Sequence, residues 1–219
     1  MWTEQRERYI ASLRQRLSDA RFAHTLGVEQ VAVDLAVRNG VDMHRTATAA
    51  LLHDYAKELP KAELLALAER FGIAVDPVYQ ASPGLLHGPV AARLVQQDFG
   101  ISDAEVLAAI CNHTVGRAGM TTMEKIVYLA DMIEPMRDFP GVEALRALAR
   151  QDLDAGMLGV PVVAAGIPTL MEAEEGADLV VTPRALDSVI AHGAALLAAA
   201  INRALQPRLS IAQLGWLTS

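Results

Sequence analysis

The chain holds a single cysteine, Cys111, among 219 residues. One thiol closes no internal disulfide, so no oxidising compartment is implied. Positive charge is scarce too: 19 Lys and Arg against 26 Asp and Glu leave a net charge of −7. That balance argues against sequence-independent nucleic-acid binding, which draws on many Lys and Arg contacts to phosphate. It leaves a small anionic ligand open, because a local cation outweighs a diffuse surface field. Long apolar runs are missing as well. The longest near the C-terminus, GAALLAAAI, is too short and Ala-rich to span a bilayer. The opening MWTEQRERYIASLRQRL is charged and amphipathic and has no signal-peptide core. The expectation is a cytoplasmic protein with neither a membrane nor a nucleic-acid partner.

What is there in quantity is apolar helix-forming sequence. Hydrophobic residues make up 52% of the chain, ample for a core. From residue 3 to about 157 they recur at three- and four-residue spacing, as in LGVEQVAVDLAV, HRTATAALLHDYA and AELLALAERF. Gly40, Gly72 and Gly100 read as helix C-caps. Thr121 or Thr122 reads as an N-cap, and so does Ser102, with Glu105 completing a capping box. GVEALRALARQDLDAGM reads as one further helix, and no strand is expected before residue 158.

The character changes near Gly156–Gly159. GVPVVAAGIPTL opens with a β-branched run and ADLVVTP is a second; both read as buried strands, followed by helix over RALDSVIAHGAALLAAAINRALQP. The predicted fold class is mainly α, a helical bundle with a short C-terminal α/β appendage, divided as residues 1–157 and 158–219.

Histidine is sparse, and its distribution is informative. Four of the six, His24, His53, His87 and His113, fall in one scattered set with Asp54 and Asp131. Each sits in a helix or at a helix end. Imidazoles give affinity for transition metals, and carboxylates bridge cations and neutralise charge, so this is the donor inventory of a two-metal hydrolytic site. His53 and Asp54 are adjacent near a helix end. Consecutive helical side chains diverge by about 100°, so one turn sends an imidazole and a carboxylate to different points. Asp131, inside the apolar YLADMIEP, needs a cation partner to stay charged there. Mixed His and carboxylate ligation suits Fe, Mn or Zn better than Mg.

Around that set stand candidate substrate contacts. Lys57, four residues after His53 and on its helical face, is placed to donate to a phosphate or act as general acid. Arg117 and Arg137 are candidate phosphate clamps, since guanidinium holds an oxyanion bidentately. Thr114 and Glu134 are candidates for lining the same pocket, with Arg21 a further one. Gly116 either allows backbone approach to a ligand or terminates its helix. Cys111 reads as core.

The series RFAHTLGV, LLHDYAKELP, LLHGPVAA, NHTVGR and YLADMIEPMRD resembles the HD-domain superfamily over roughly residues 8 to 157. More narrowly, HTVGR and ADMIEPMR resemble the bacterial YqeK-type symmetrical bis(5'-nucleosyl)-tetraphosphatases. The resemblance implies a helical bundle with a di-iron centre held by His24, His53, Asp54, His87, His113 and Asp131. It implies cleavage of diadenosine tetraphosphate into two ADP; two cations suit that chemistry by activating a water, with Asp54 and Lys57 as the candidate catalytic residues. Two readings stay beside it: the same site acting on another nucleotide, and a weakly active metal-bound module whose tail mediates assembly. The tail pieces GVPVV, VVTP and AAINRAL resemble the C-terminal part of the spore germination protease family. The larger part of that protease is absent, so no protease activity follows. The appendage is expected to stabilise the body or to serve docking, including a homodimer.

Overall fold

A computed structural model describes residues 2–164 of the chain. Every regular element among them is helical: α1 (Trp2–Arg16), α2 (Asp19–Arg38), α3 (Met43–Leu52), α4 (Lys61–Arg70), α5 (Pro77–Ala81), a 3-10 turn (Pro83–Leu86), α6 (His87–Phe99), α7 (Ala104–Asn112), α8 (Thr122–Ile133), α9 (Val142–Gln151) and α10 (Leu153–Ala164). None of the described helices is long and apolar enough to cross a membrane.

The bundle is organised around α3. Its sequence, MHRTATAALL, has small residues on most faces, and Thr46, Ala47, Ala49, Ala50, Leu51 and Leu52 are all buried. Small side chains let α1, α2, α7 and α8 all approach it. Helices α3 and α8 each feed two hydrophobic clusters. Leu51, Leu52, Met123 and Val127 join one, while Ala50, Ile126, Leu129 and Ile133 join the other. The C-terminal end of α3 is thereby fixed deep in the protein, and the residues that follow it start from a buried position.

Local signals account for most helix boundaries. Gly40, Gly72 and Gly100 take positive φ just beyond α2, α4 and α6, as their sequence positions imply. Thr121, one of the two threonines expected to cap α8, is its N-cap and forms a capping box with Glu124. Ser102 does not cap α7. Asp103 does, accepting from the Glu105 and Val106 amides, and it also holds Arg45 on α3 at 2.7 and 2.8 Å. The Arg45 hydrogen bonds, outweighing burial, lower the Asp103 carboxyl to about 2.

Two other expectations change. GVEALRALARQDLDAGM is not one helix, because the backbone turns extended at Asp152 and divides it into α9 and α10. GVPVV is helical rather than strand, since α10 carries it as far as Ala164. Val160 is buried in the second cluster, so packing against the bundle overrides the local β-branched preference. The rest of the first predicted strand, all of ADLVVTP and the final helix lie outside the described residues.

Candidate metal centre

Five elements deliver the six candidate ligands to one place. His24 comes from the second turn of α2. His53 is the C-cap of α3, with Asp54 next to it. His87 opens α6, His113 is the C-cap of α7, and Asp131 lies in the last turn of α8. The chain after Leu52 is not helix. It runs in successive turns, with Tyr55 bonded to Leu52, Lys57 to Asp54 and Leu59 to Ala56 through i to i+3 backbone contacts. Side chains three apart eclipse in such a run. Lys57 therefore shares a face with Asp54, not with His53 as a continuous helix requires.

The four imidazoles close on Asp54. Nε2 of His87 and His113 lie 3.3 and 3.5 Å from Asp54 Oδ1, and Nε2 of His53 and His24 lie 3.4 and 3.8 Å from Oδ2. His24 Nε2 is also 3.1 Å from Asp131 Oδ1. His87 and His113 bring their Nε2 atoms within 3.0 Å of each other. Two donor groups meet the spacing of a metal site, His24 with His53 and Asp131, and His53 with Asp54 and His113. His53 belongs to both.

The tautomers follow from what stands behind each ring. Nδ1 of His53, His87 and His113 contacts the carbonyls of Ala50, Gly84 and Ile110 at 2.6, 2.6 and 2.8 Å. A carbonyl only accepts, so Nδ1 carries the proton and the Nε2 lone pair points inward. Inside the cluster, lone pairs therefore face lone pairs and carboxylate oxygens. Nε2 of His24 and His53 and Oδ1 of Asp54 are buried and make no hydrogen bond. Buried polar atoms without partners are costly. Their convergence is the arrangement a cation satisfies, and the donor set fits a divalent transition metal.

Charge within the cluster is tightly balanced. Burial pushes the Asp54 carboxyl up, but His53, His113 and His87 outweigh it and hold it well below the usual carboxylate range. Asp131 is lowered in the same way: His24, His53 and His113 overcome burial. Burial drives His113 below its ordinary value. His53 goes the other way, because Asp54 more than offsets the downward pull of burial. A proton on His53 and a cation between the rings are two ways of neutralising the same carboxylates.

Three cations ring the solvent side. Arg21 donates to Asp54 Oδ2 at 3.0 Å, Lys57 Nζ sits 3.2 Å from His87 Nε2, and Arg137 donates to Asp131 Oδ1 at 2.6 Å. Their side chains are 30%, 33% and 35% exposed, against 0–7% for the four imidazoles. Thr114 joins them, with Oγ1 3.0 and 2.9 Å from His87 and His113 Nε2. Arg117 is placed elsewhere. Its guanidinium holds the buried Glu124 through two bonds of 2.7 and 2.6 Å. Gly116 takes φ +65° beside Met120 and Tyr128, which makes it a turn residue after α7. Glu134 is buried behind His24 rather than lining an open pocket.

One glycine beside the cluster escaped sequence reasoning. A Cβ on Gly88 would stand 2.7 Å from the Cys111 carbonyl oxygen. Its absence lets the start of α6 lie against the end of α7, which sets the 3.0 Å approach of His87 to His113. The only sequence signal is its position directly after His87. Gly88→Ala is expected to cost about 1–3 kcal/mol through overpacking and to lower turnover about 10²-fold by shifting His87. Thermal melts and initial rates on the purified variant measure both.

A helical frame that gathers histidines and aspartates from separate helices around a buried centre defines the HD class. The HD domain family matches residues 21–136, a span that contains all six clustered candidate ligands. Among curated proteins, the chain is 43% identical over 153 residues to the symmetrical bis(5'-nucleosyl)-tetraphosphatase of Bacillus subtilis (strain 168), covering 70% of this chain and 82% of that one. It is 40% identical over 153 residues to the protein of the same name from Halalkalibacterium halodurans, covering 70% and 81%. A crystal structure from Clostridium acetobutylicum, described as a predicted HD superfamily hydrolase involved in NAD metabolism, superposes with a TM-score of 0.70 at 34% identity, covering 85% of this chain and 97% of that one. The chain belongs to the HD-domain family, in its branch of symmetrical bis(5'-nucleosyl)-tetraphosphatases.

Proposed function

We propose that the chain hydrolyses diadenosine tetraphosphate symmetrically to two ADP, using two divalent transition-metal ions, iron foremost with manganese and zinc as alternatives. The observation that carries this reading is the set of inward-facing, unsatisfied donors on His24, His53 and Asp54 beneath a rim of exposed cations. His24, His53, Asp54, His87, His113 and Asp131 would hold the ions. Bound there, they would supply an activated water and cancel charge on the phosphoryl oxygens.

The chain's own residues do the rest. Arg21, Lys57 and Arg137 each touch a ligand side chain while remaining about one third exposed. They are placed to bind the non-bridging oxygens of a tetraphosphate as it enters. Arg21 steadies Asp54, and Arg137 steadies Asp131, so substrate binding and ligand orientation share the same guanidinium groups. Lys57 stands nearest the His87–His113 edge and is placed to give a proton to the departing phosphate. Thr114 orients at that edge through its hydroxyl. Arg117, committed to Glu124, is not in this set. The acidic surface does not oppose the ligand, because the local positive rim governs at contact distance.

The test is product analysis in ¹⁸O-labelled water. Diadenosine tetraphosphate should give two ADP, one of them labelled. ATP with AMP, or no turnover alongside rapid hydrolysis of another nucleotide in a panel, would replace this reading with an asymmetric cleavage or a different substrate.

A further inference from the structure

His24 is backed differently from the other three histidines. His53 and His113 cap the ends of α3 and α7, where the carbonyls of the last turn lack helical partners. Each uses one of them, Ala50 or Ile110, for its Nδ1 proton. His87 follows the 3-10 turn and uses Gly84. His24 lies inside α2, where local carbonyls are already taken by the helix, and the carbonyl three residues back also accepts from the Thr25 hydroxyl. Its Nδ1 instead meets Oε1 of Glu134 at 3.1 Å, across 110 residues of chain.

Glu134 is 2% exposed and both of its oxygens are in use. Oε2 accepts from the Met136 amide at 2.7 Å. The turn carrying Glu134 is pinned by Arg146 of α9, which donates to the carbonyls of Ile133, Glu134 and Arg137. On the other side, Gly27 makes room. It lies one turn after His24 on α2, and a Cβ there would come 2.8 Å from Glu134 Oε2. A glycine in a helix interior is a destabilising choice, and here it admits a carboxylate.

The geometry points to Glu134 as the positioning residue that fixes the His24 tautomer and so makes the His24–Asp131 half of the centre competent to bind its ion, unequal to the half backed only by carbonyls. This rests on the metal-site reading above. A carboxylate is required because it accepts twice. Glutamine has one acceptor oxygen for two donors. If it serves the Met136 amide, its NH₂ faces His24 Nδ1, and the ring must move its proton to Nε2, the atom that should ligate. Ligand-backing groups of this kind change metal affinity by about 10–100-fold.

The experiment compares wild type with Glu134→Gln and Gly27→Ala, whose added methyl group displaces the carboxylate. Two measurements are made. In metal-free protein, ¹⁵N NMR of the imidazoles reads the tautomer. His24 should carry a proton on Nδ1 in wild type and have lost it from Nδ1, keeping one only on Nε2, in Glu134→Gln, with His53, His87 and His113 unchanged. Titration with Mn²⁺ or Fe²⁺ then reads the two sites. One ion should weaken about 10–100-fold in the variants while the other keeps its affinity. Unchanged His24 tautomer together with two wild-type affinities in Glu134→Gln would overturn the assignment. If wild type itself bound no ion, the metal reading would fall, and the tautomer result alone would decide the role of Glu134.

Discussion

Asp54→Ala is expected to reduce turnover at least about 10³-fold, equivalent to about 4 kcal/mol of barrier, and to empty the centre of metal. No other described residue is so central to it. Nε2 of all four imidazoles lies within 3.8 Å of its carboxylate, and Arg21 holds Oδ2 at 3.0 Å. Removing that carboxylate leaves His87 and His113 facing each other across 3.0 Å with nothing anionic between them, so a cation held there would lose its charge partner. Asp54→Asn isolates that loss. It keeps one acceptor and the volume but not the charge, and its metal content should fall as far as that of Asp54→Ala. Elemental analysis and steady-state rates, with circular dichroism as the check on folding, decide the matter. Turnover within tenfold of wild type, with the metal retained, would remove Asp54 from the mechanism.

The convergence of the six candidate ligands was legible because their residue types are rare and their segments ordered. Four of six histidines and two aspartates in apolar helical stretches needed a shared explanation, and the fold gives them one. What surrounds the ligands was less legible. Arg117 read as a phosphate clamp and Arg21 only as a further candidate, though each is an arginine a few residues from a histidine. The structure separates them because the capping-box residue Glu124 is also the buried partner of Arg117, while Arg21 is one turn before His24 on the same helix. Lys57 was assigned to the wrong face because nothing before Pro60 announces that α3 stops at Leu52. Glu134 could not be read as the backing of His24, because sequence periodicity reports neighbours along an element and this contact joins α2 to the end of α8. GVPVV shows the same limit from the other direction. A short β-branched run suits a buried strand or a buried helix equally, and the packing of Val160 selects helix.

Chelation is expected to abolish turnover and to lower the melting temperature, with both restored by adding back a divalent transition metal. The sign follows from linkage. The gathered site exists only in the folded chain, so an ion that binds it stabilises folding, by about 2.7 kcal/mol for each ion at a free concentration one hundred times its Kd. For a chain of this length each kcal/mol moves the midpoint by about 2–4 °C, so loss of two such ions should lower it by on the order of 10 °C or more. The unsatisfied His24 and His53 nitrogens and Asp54 Oδ1 make the metal-free state costly in addition. Protons compete for the same lone pairs, so the gap between metal-loaded and metal-free melting temperatures should close as pH falls. His53 takes part in that competition. In the metal-free chain burial pulls its imidazole down, but Asp54 raises it above its ordinary value, so it takes up a proton at higher pH than an unperturbed histidine. Calorimetric melts at several pH values, with and without chelator, measure the gap directly. A melting temperature indifferent to chelator at neutral pH, with turnover intact, would mean that the six side chains hold no ion and that their close approach is stabilised by protons alone.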